Sequence, residues 1–120
     1  MWFLALAGLL AHALSSGCDN DGHGEPPVSR MLYYRTRDGR ADYGFSIERQ
    51  PDGSYRPYIT AQPGYGTRSS GPHETHRLTG PGGRKFVCWD RLLHSEAAAR
   101  KVAAMWADAT QRYIRSGERF

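Results

Sequence analysis

Two Asp-Gly pairs, Asp38-Gly39 and Asp52-Gly53, bracket a stretch from Ala41 to Arg49 in which every second side chain is apolar. Tyr43, Phe45 and Ile47 alternate with Asp42, Gly44, Ser46 and Glu48, and a period of two marks a half-buried strand because successive side chains leave opposite faces. Asp-Gly tolerates the positive φ of a tight reversal, so this strand is entered and left by sharp turns. The chain is thereby committed to an antiparallel meander, with Met31 to Thr36 as first strand, Ala41 to Arg49 as second and Ser54 to Thr60 as third. Pro57 has no N–H to give to a ladder, which predicts a sheet edge for the third strand.

Residues 61–73 carry Gly, Ser and Pro without periodicity and read as an exposed loop. His76-Arg77-Leu78 reads as a short strand, Thr79 to Gly83 as a turn, and Arg84 to Asp90 as a further strand. Its four successive apolar residues, Phe86-Val87-Cys88-Trp89, predict a central strand covered at least in part on both sides. Ser95 then caps a helix, with Glu96 at the positive end of its dipole. Ala98, Val102, Met105, Trp106, Ala109 and Tyr113 recur at steps of three and four and predict an apolar stripe lying over Phe45, Ile47 and Phe86. Arg100, Lys101, Asp108 and Arg112 fall on the side turned to solvent, and Arg115 with Gly117 supplies the stop. The fold class is α+β: an antiparallel meander of three to five strands packed against one long C-terminal helix, in a single domain over 31–117 with a short tail at 118–120.

Residues 2–14 form an apolar run too short to cross about 30 Å of hydrocarbon as a helix, but of suitable length for a signal-peptide core. Leu14-Ser15-Ser16-Gly17-Cys18 resembles a bacterial lipoprotein processing site, in which the cysteine is lipidated. Against that pattern stand His12 within the apolar run and the lack of any Lys or Arg before Arg30. Two readings stay open. Either Cys18 anchors an exported lipoprotein through a Gly/Asp/Pro tether over 19–27, or translation starts near Val28 or Met31 and the protein is cytoplasmic. Cys18 and Cys88 lie in segments of very different character, which argues against a disulfide framework.

From residue 30 onward sixteen Lys and Arg face nine Asp and Glu, a balance of +7. Such a charge favours anionic partners by long-range attraction, although an Arg-to-Lys ratio of fourteen to two also reflects the residue bias of a GC-rich genome. Arginines interleaved with tyrosines supply phosphate contacts and base stacking, so DNA or RNA is the first partner class, with a protein partner as the alternative and a membrane only if Cys18 is lipidated. Arg56, Tyr58, Arg68, Arg84 and Lys85 are the candidate contacts. Asp42 and Glu48 on the second strand oppose a phosphate backbone laid across the sheet.

Other chemistry is poorly supplied. His73, Glu74, His76, Cys88, Asp90 and His94 contain metal-ligand types, but His73 and His76 are three residues apart in a loop after Pro72, one short of the helical zinc pattern. Cys88 between Val87 and Trp89 reads as a small buried hydrophobe rather than a nucleophile. Gly80-Pro81-Gly82-Gly83-Arg84-Lys85 lacks the spacing, the terminal hydroxyl and the following helix of a phosphate loop. No paired carboxylates or Ser-His-Asp set stands out. The chain reads as a non-enzymatic binding module without cofactor or metal.

The final strand, the Ser95-Glu96-Ala97-Ala98-Ala99 start and the long helix, spanning Arg84 to Tyr113, resemble the three-strand-plus-helix DNA-binding domains of ethylene-response factors and the arm-binding domains of tyrosine recombinases. That resemblance implies DNA reading through a sheet. Phe86 to Asp90 with Val102 to Ile114 is also similar to short actinobacterial proteins, a kinship that implies no activity.

Overall fold

The computed structural model describes residues 30–120, so Cys18 and both readings of the N-terminal segment lie outside the described residues. Five strands form one antiparallel sheet: β1 (Arg30–Arg35), β2 (Asp42–Arg49), β3 (Tyr55–Ala61), β4 (Arg77–Thr79) and β5 (Lys85–Val87). A short helix, α1 (Pro72–Thr75), precedes β4, and the long helix α2 (Glu96–Ser116) follows the sheet. This is the expected α+β arrangement.

The turns form as their residues dictate. Gly39 at φ 72° lets the chain reverse between β1 and β2, and the Asp38 carboxylate holds the reversal by accepting from Thr36 Oγ1 at 2.6 Å and from the Arg40 N–H at 2.9 Å.

The strand order β1-β2-β3-β5-β4 corrects the expectation for Pro57, because β3 is interior and the edges are β1 and β4. Tyr55 donates its N–H to the Leu93 carbonyl at 2.7 Å. By strand alternation the nitrogen of Pro57 faces that same side, where it has no hydrogen to offer. Pairing of β3 with β5 is accordingly reduced to Tyr58–Phe86, with Tyr55–Leu93 as an isolated bridge beyond it. β5 stops at Val87 instead of running to Asp90, and Trp89 is left exposed.

Ser95 Oγ accepts from the Ala98 N–H at 3.0 Å, and Gly117 in the left-handed region ends α2. The buried face of α2 is rotated from the expected stripe. Ala99, Ala103 and Ala107 are fully buried beside Val102, Trp106 and Tyr113, whereas Met105 is half exposed. The reason lies in the sheet: bulky Tyr43 and Phe45 project from β2, so close packing demands small residues opposite them. Trp106 fits between these rings edge-on, with centroids 5.8 Å from Tyr43 and 6.1 Å from Phe45.

Three further expectations are corrected. Phe86 lies on the opposite face of the sheet from α2, against Tyr58. Asp108 is not turned to solvent but accepts the Tyr34 hydroxyl at 2.7 Å and the Arg37 N–H at 2.9 Å, tying the end of β1 to the helix. Arg100 folds back along α2 to Glu96 at 3.2 Å, its side chain only 13 % exposed. The 61–73 loop also packs: Tyr65 is buried edge-on against Tyr113, and the Tyr113 hydroxyl donates to the Ser69 carbonyl at 2.8 Å.

Candidate nucleic-acid interface

With α2 on one face of the sheet, the other face is built from the second set of alternating side chains. Register places Met31 beside Ser46, Ser46 beside Tyr58, Tyr58 beside Phe86 and Phe86 beside Leu78. One transverse row therefore crosses all five strands, and four of its five side chains are large and apolar or aromatic. Tyr33 extends the surface on β1, lying over Gly44. A methyl group at Gly44 would come within 2.7 Å of Thr60 Oγ1 and 3.1 Å of the Tyr33 ring, so the glycine is what allows the ring to lie down there.

Two guanidinium groups cover the middle of the row. Arg84 Cζ lies 3.8 Å from the centre of the Tyr58 ring, and Arg56 Cζ lies 4.1 Å from that of Phe86. The two rings meet edge-on at 5.8 Å, and Arg56 Nη1 donates to the Tyr58 hydroxyl at 3.1 Å. Gly80 closes this end, since a methyl there would sit 3.2 Å from Phe86.

The charges differ in their freedom. Arg84 is held in a two-point pair by Glu48, at 2.5 and 3.1 Å. That contact, seconded by the Ser46 hydroxyl, pulls the Glu48 carboxyl below its usual range, and the same carboxylate raises Arg84. Arg35 is paired with Asp42 at 3.0 Å near the β1 edge. Arg56 has no carboxylate partner among the described residues.

Of the five candidates, Arg56, Tyr58 and Arg84 come together on this face. Arg68 does not: its Nε donates to the Ile114 carbonyl at 3.2 Å and its Nη2 to the Arg115 carbonyl at 3.1 Å, capping the free carbonyls at the end of α2. Lys85 leaves β5 on the side opposite Phe86 and donates to Thr79 Oγ1 at 2.6 Å. Phe86, Tyr33, Leu78 and Met31 were not among the candidates. Strand phase was the available signal, since Phe86 and Val87 must face opposite ways and only one can join the core.

Among the described residues no group of three or more His, Cys, Asp and Glu is placed to hold a metal ion. Cys88 is half-buried and donates its N–H to the His76 carbonyl at 2.9 Å. Neither a family model, nor a curated protein, nor a solved structure matches this chain.

Proposed function

We propose that the domain is a non-enzymatic binding module that takes a short single-stranded stretch of DNA or RNA across the face of the sheet away from α2. The observation that carries this reading is the Met31–Ser46–Tyr58–Phe86–Leu78 row with Arg56 and Arg84 lying on its rings. Tyr33 at the β1 end lies open to a base, while Tyr58 and Phe86 become stacking surface when a base displaces the guanidinium groups that cover them, which are then placed to meet the phosphates. Glu48 and Asp42 keep the face from being a continuous positive strip, so stacking contributes more than charge. Duplex DNA, which hides its bases, is the poorer ligand.

The test is fluorescence anisotropy of the full chain with labelled single-stranded oligonucleotides over a salt series. Two phosphate contacts, at Arg56 and Arg84, give a log–log salt slope of about −1.4 for a single strand. Absence of binding at low salt, or binding with no salt slope, contradicts the reading.

A further inference from the structure

Seven large apolar side chains are exposed among the described residues, and they divide into two groups. Met31, Tyr33 and Leu78 belong to the sheet face. Trp89, Leu92, Met105 and Phe120, between 40 and 59 % exposed, gather instead beside α2. They surround two adjoining cavities of about 440 and 400 Å³ that share Trp89 and Met105 as a dividing ridge. Val102 lines the first, and Trp106 and Ala109 line the second. The segment from Trp89 to Leu92, between the Tyr58–Phe86 pair and the Tyr55–Leu93 bridge, belongs to no strand, and it forms the wall of the trough opposite the helix.

The rim of the first cavity carries the cations Arg91 and Lys101 with His94 between them in sequence, and Asp90 lines the second cavity. Lys101 has no ion pair among the described residues. Among the described residues Arg91 pairs only with its neighbour Asp90, at 3.4 Å with both side chains about three-quarters exposed, a contact of little strength. Along α2 the first cavity touches Ala98 to Met105 and the second Met105 to Ala109. Their midpoints are about five residues apart, or roughly 8 Å of helix rise. A helix laid in the trough presents side chains at that spacing when its anchors are four to seven residues apart.

We infer that this trough is a docking groove for an amphipathic, acidic segment of a partner protein, which sets two apolar anchors either side of the Trp89–Met105 ridge and its carboxylates against Arg91, His94 and Lys101. A second copy of the chain fits less well, because each copy carries +7 from residue 30 onward and like charges at the rim repel.

The probe is an acetylated, dye-labelled helical peptide of about sixteen residues, with leucines at helical spacing on one face and glutamates elsewhere, beside a version with lysines for glutamates. The glutamate peptide is expected to bind the full chain in the micromolar range, the lysine peptide at least about tenfold more weakly, and Met105→Glu, which removes the apolar ridge and repels carboxylates, to weaken the glutamate peptide by a similar factor. Met105 is half exposed, so the variant folds, and near-ultraviolet circular dichroism verifies it. No binding of the glutamate peptide, equal binding of both peptides, or an unchanged affinity in Met105→Glu overturns the inference. So does sedimentation showing that the chain self-associates and that Met105→Glu disperses it.

Discussion

Arg84 lies flat on Tyr58, its Cζ 3.8 Å from the ring centre, while Glu48 grips the same guanidinium from the side. The tyrosine ring is 4 % exposed as a result. A base that stacks on Tyr58 must displace Arg84, and the Glu48 pair resists that movement. Glu48→Gln weakens the grip without changing the side chain's shape. The variant is expected to bind a single-stranded oligonucleotide more tightly than the natural chain, and anisotropy at fixed salt measures the change.

The same pair fixes a response to acid. The Glu48 carboxyl is held below its ordinary value of 4.5, first by Arg84 and then by Ser46. A lowered carboxyl contributes stability that is complete above about pH 4.5 and is lost as pH falls through its folded value. Denaturant midpoints measured between pH 6 and pH 3 should therefore fall less steeply in Glu48→Gln than in the natural chain. Asp38, lowered chiefly by its bond from Thr36, keeps part of the slope in both proteins.

Arg56 is the arginine of the row with no carboxylate partner among the described residues. Arg56→Gln is expected to weaken oligonucleotide binding and to reduce the salt slope by about 0.7, the value of one single-strand phosphate contact. A variant with unchanged slope would show that Arg56 meets no phosphate.

Tyr34 supplies a test at the other end of the pH scale. Burial, and then the bond to Asp108, pushes its hydroxyl up to about 12. The folded state thus holds the proton more tightly than the unfolded chain does. Stability from this group is complete below about pH 10 and is lost as pH rises from there through about 12. Tyr34→Phe removes the hydrogen bond and leaves Asp108 to Arg37, at an expected cost of about 1–2 kcal/mol near neutrality. Chemical denaturation at pH 7 and pH 11 measures both effects.

Packing of α2 rests on its alanines. Ala103 is fully buried against the sheet, and Ala103→Leu is expected to cost about 1–3 kcal/mol by overpacking. Trp106→Phe leaves the buried Thr75 carbonyl, which accepts the indole N–H at 2.8 Å, without that donor, again about 1–3 kcal/mol. Thermal unfolding of both variants measures these losses.

How far the sequence reveals this molecule depends on whether a feature is local. The alternation in β2, the Asp-Gly turns, the Ser95 cap and the Gly117 stop depend on neighbours a few residues away, and each was legible. The face taken by Phe86 was not, because four successive apolar residues carry no period. Pro57 was read as an edge because a missing N–H ordinarily means one. Here the pairing with the adjoining strand is cut short instead, a feature of residues 85–93 that is invisible around Pro57 itself. Arg68 looked like a surface cation until the fold brought Ile114 and Arg115 to it across some forty-six residues of chain. Asp108 looked solvent-facing for the same reason, its partner Tyr34 being seventy-four residues away. The sheet-face row was legible in part: alternation gives each strand's phase, but only the register of five strands aligns Met31, Ser46, Tyr58, Phe86 and Leu78.

The most direct test of the account is a nuclear magnetic resonance titration of the full chain with a short single-stranded oligonucleotide, reading backbone amides together with aromatic and methyl signals. Shifts centred on Tyr33, Tyr58, Leu78 and Phe86, with Arg56 among them and the middle of α2 unmoved, are the expected result. No shifts at saturating ligand, or shifts confined to α2 and the Arg68 contact at its end, would contradict the assignment of the sheet face as the binding surface.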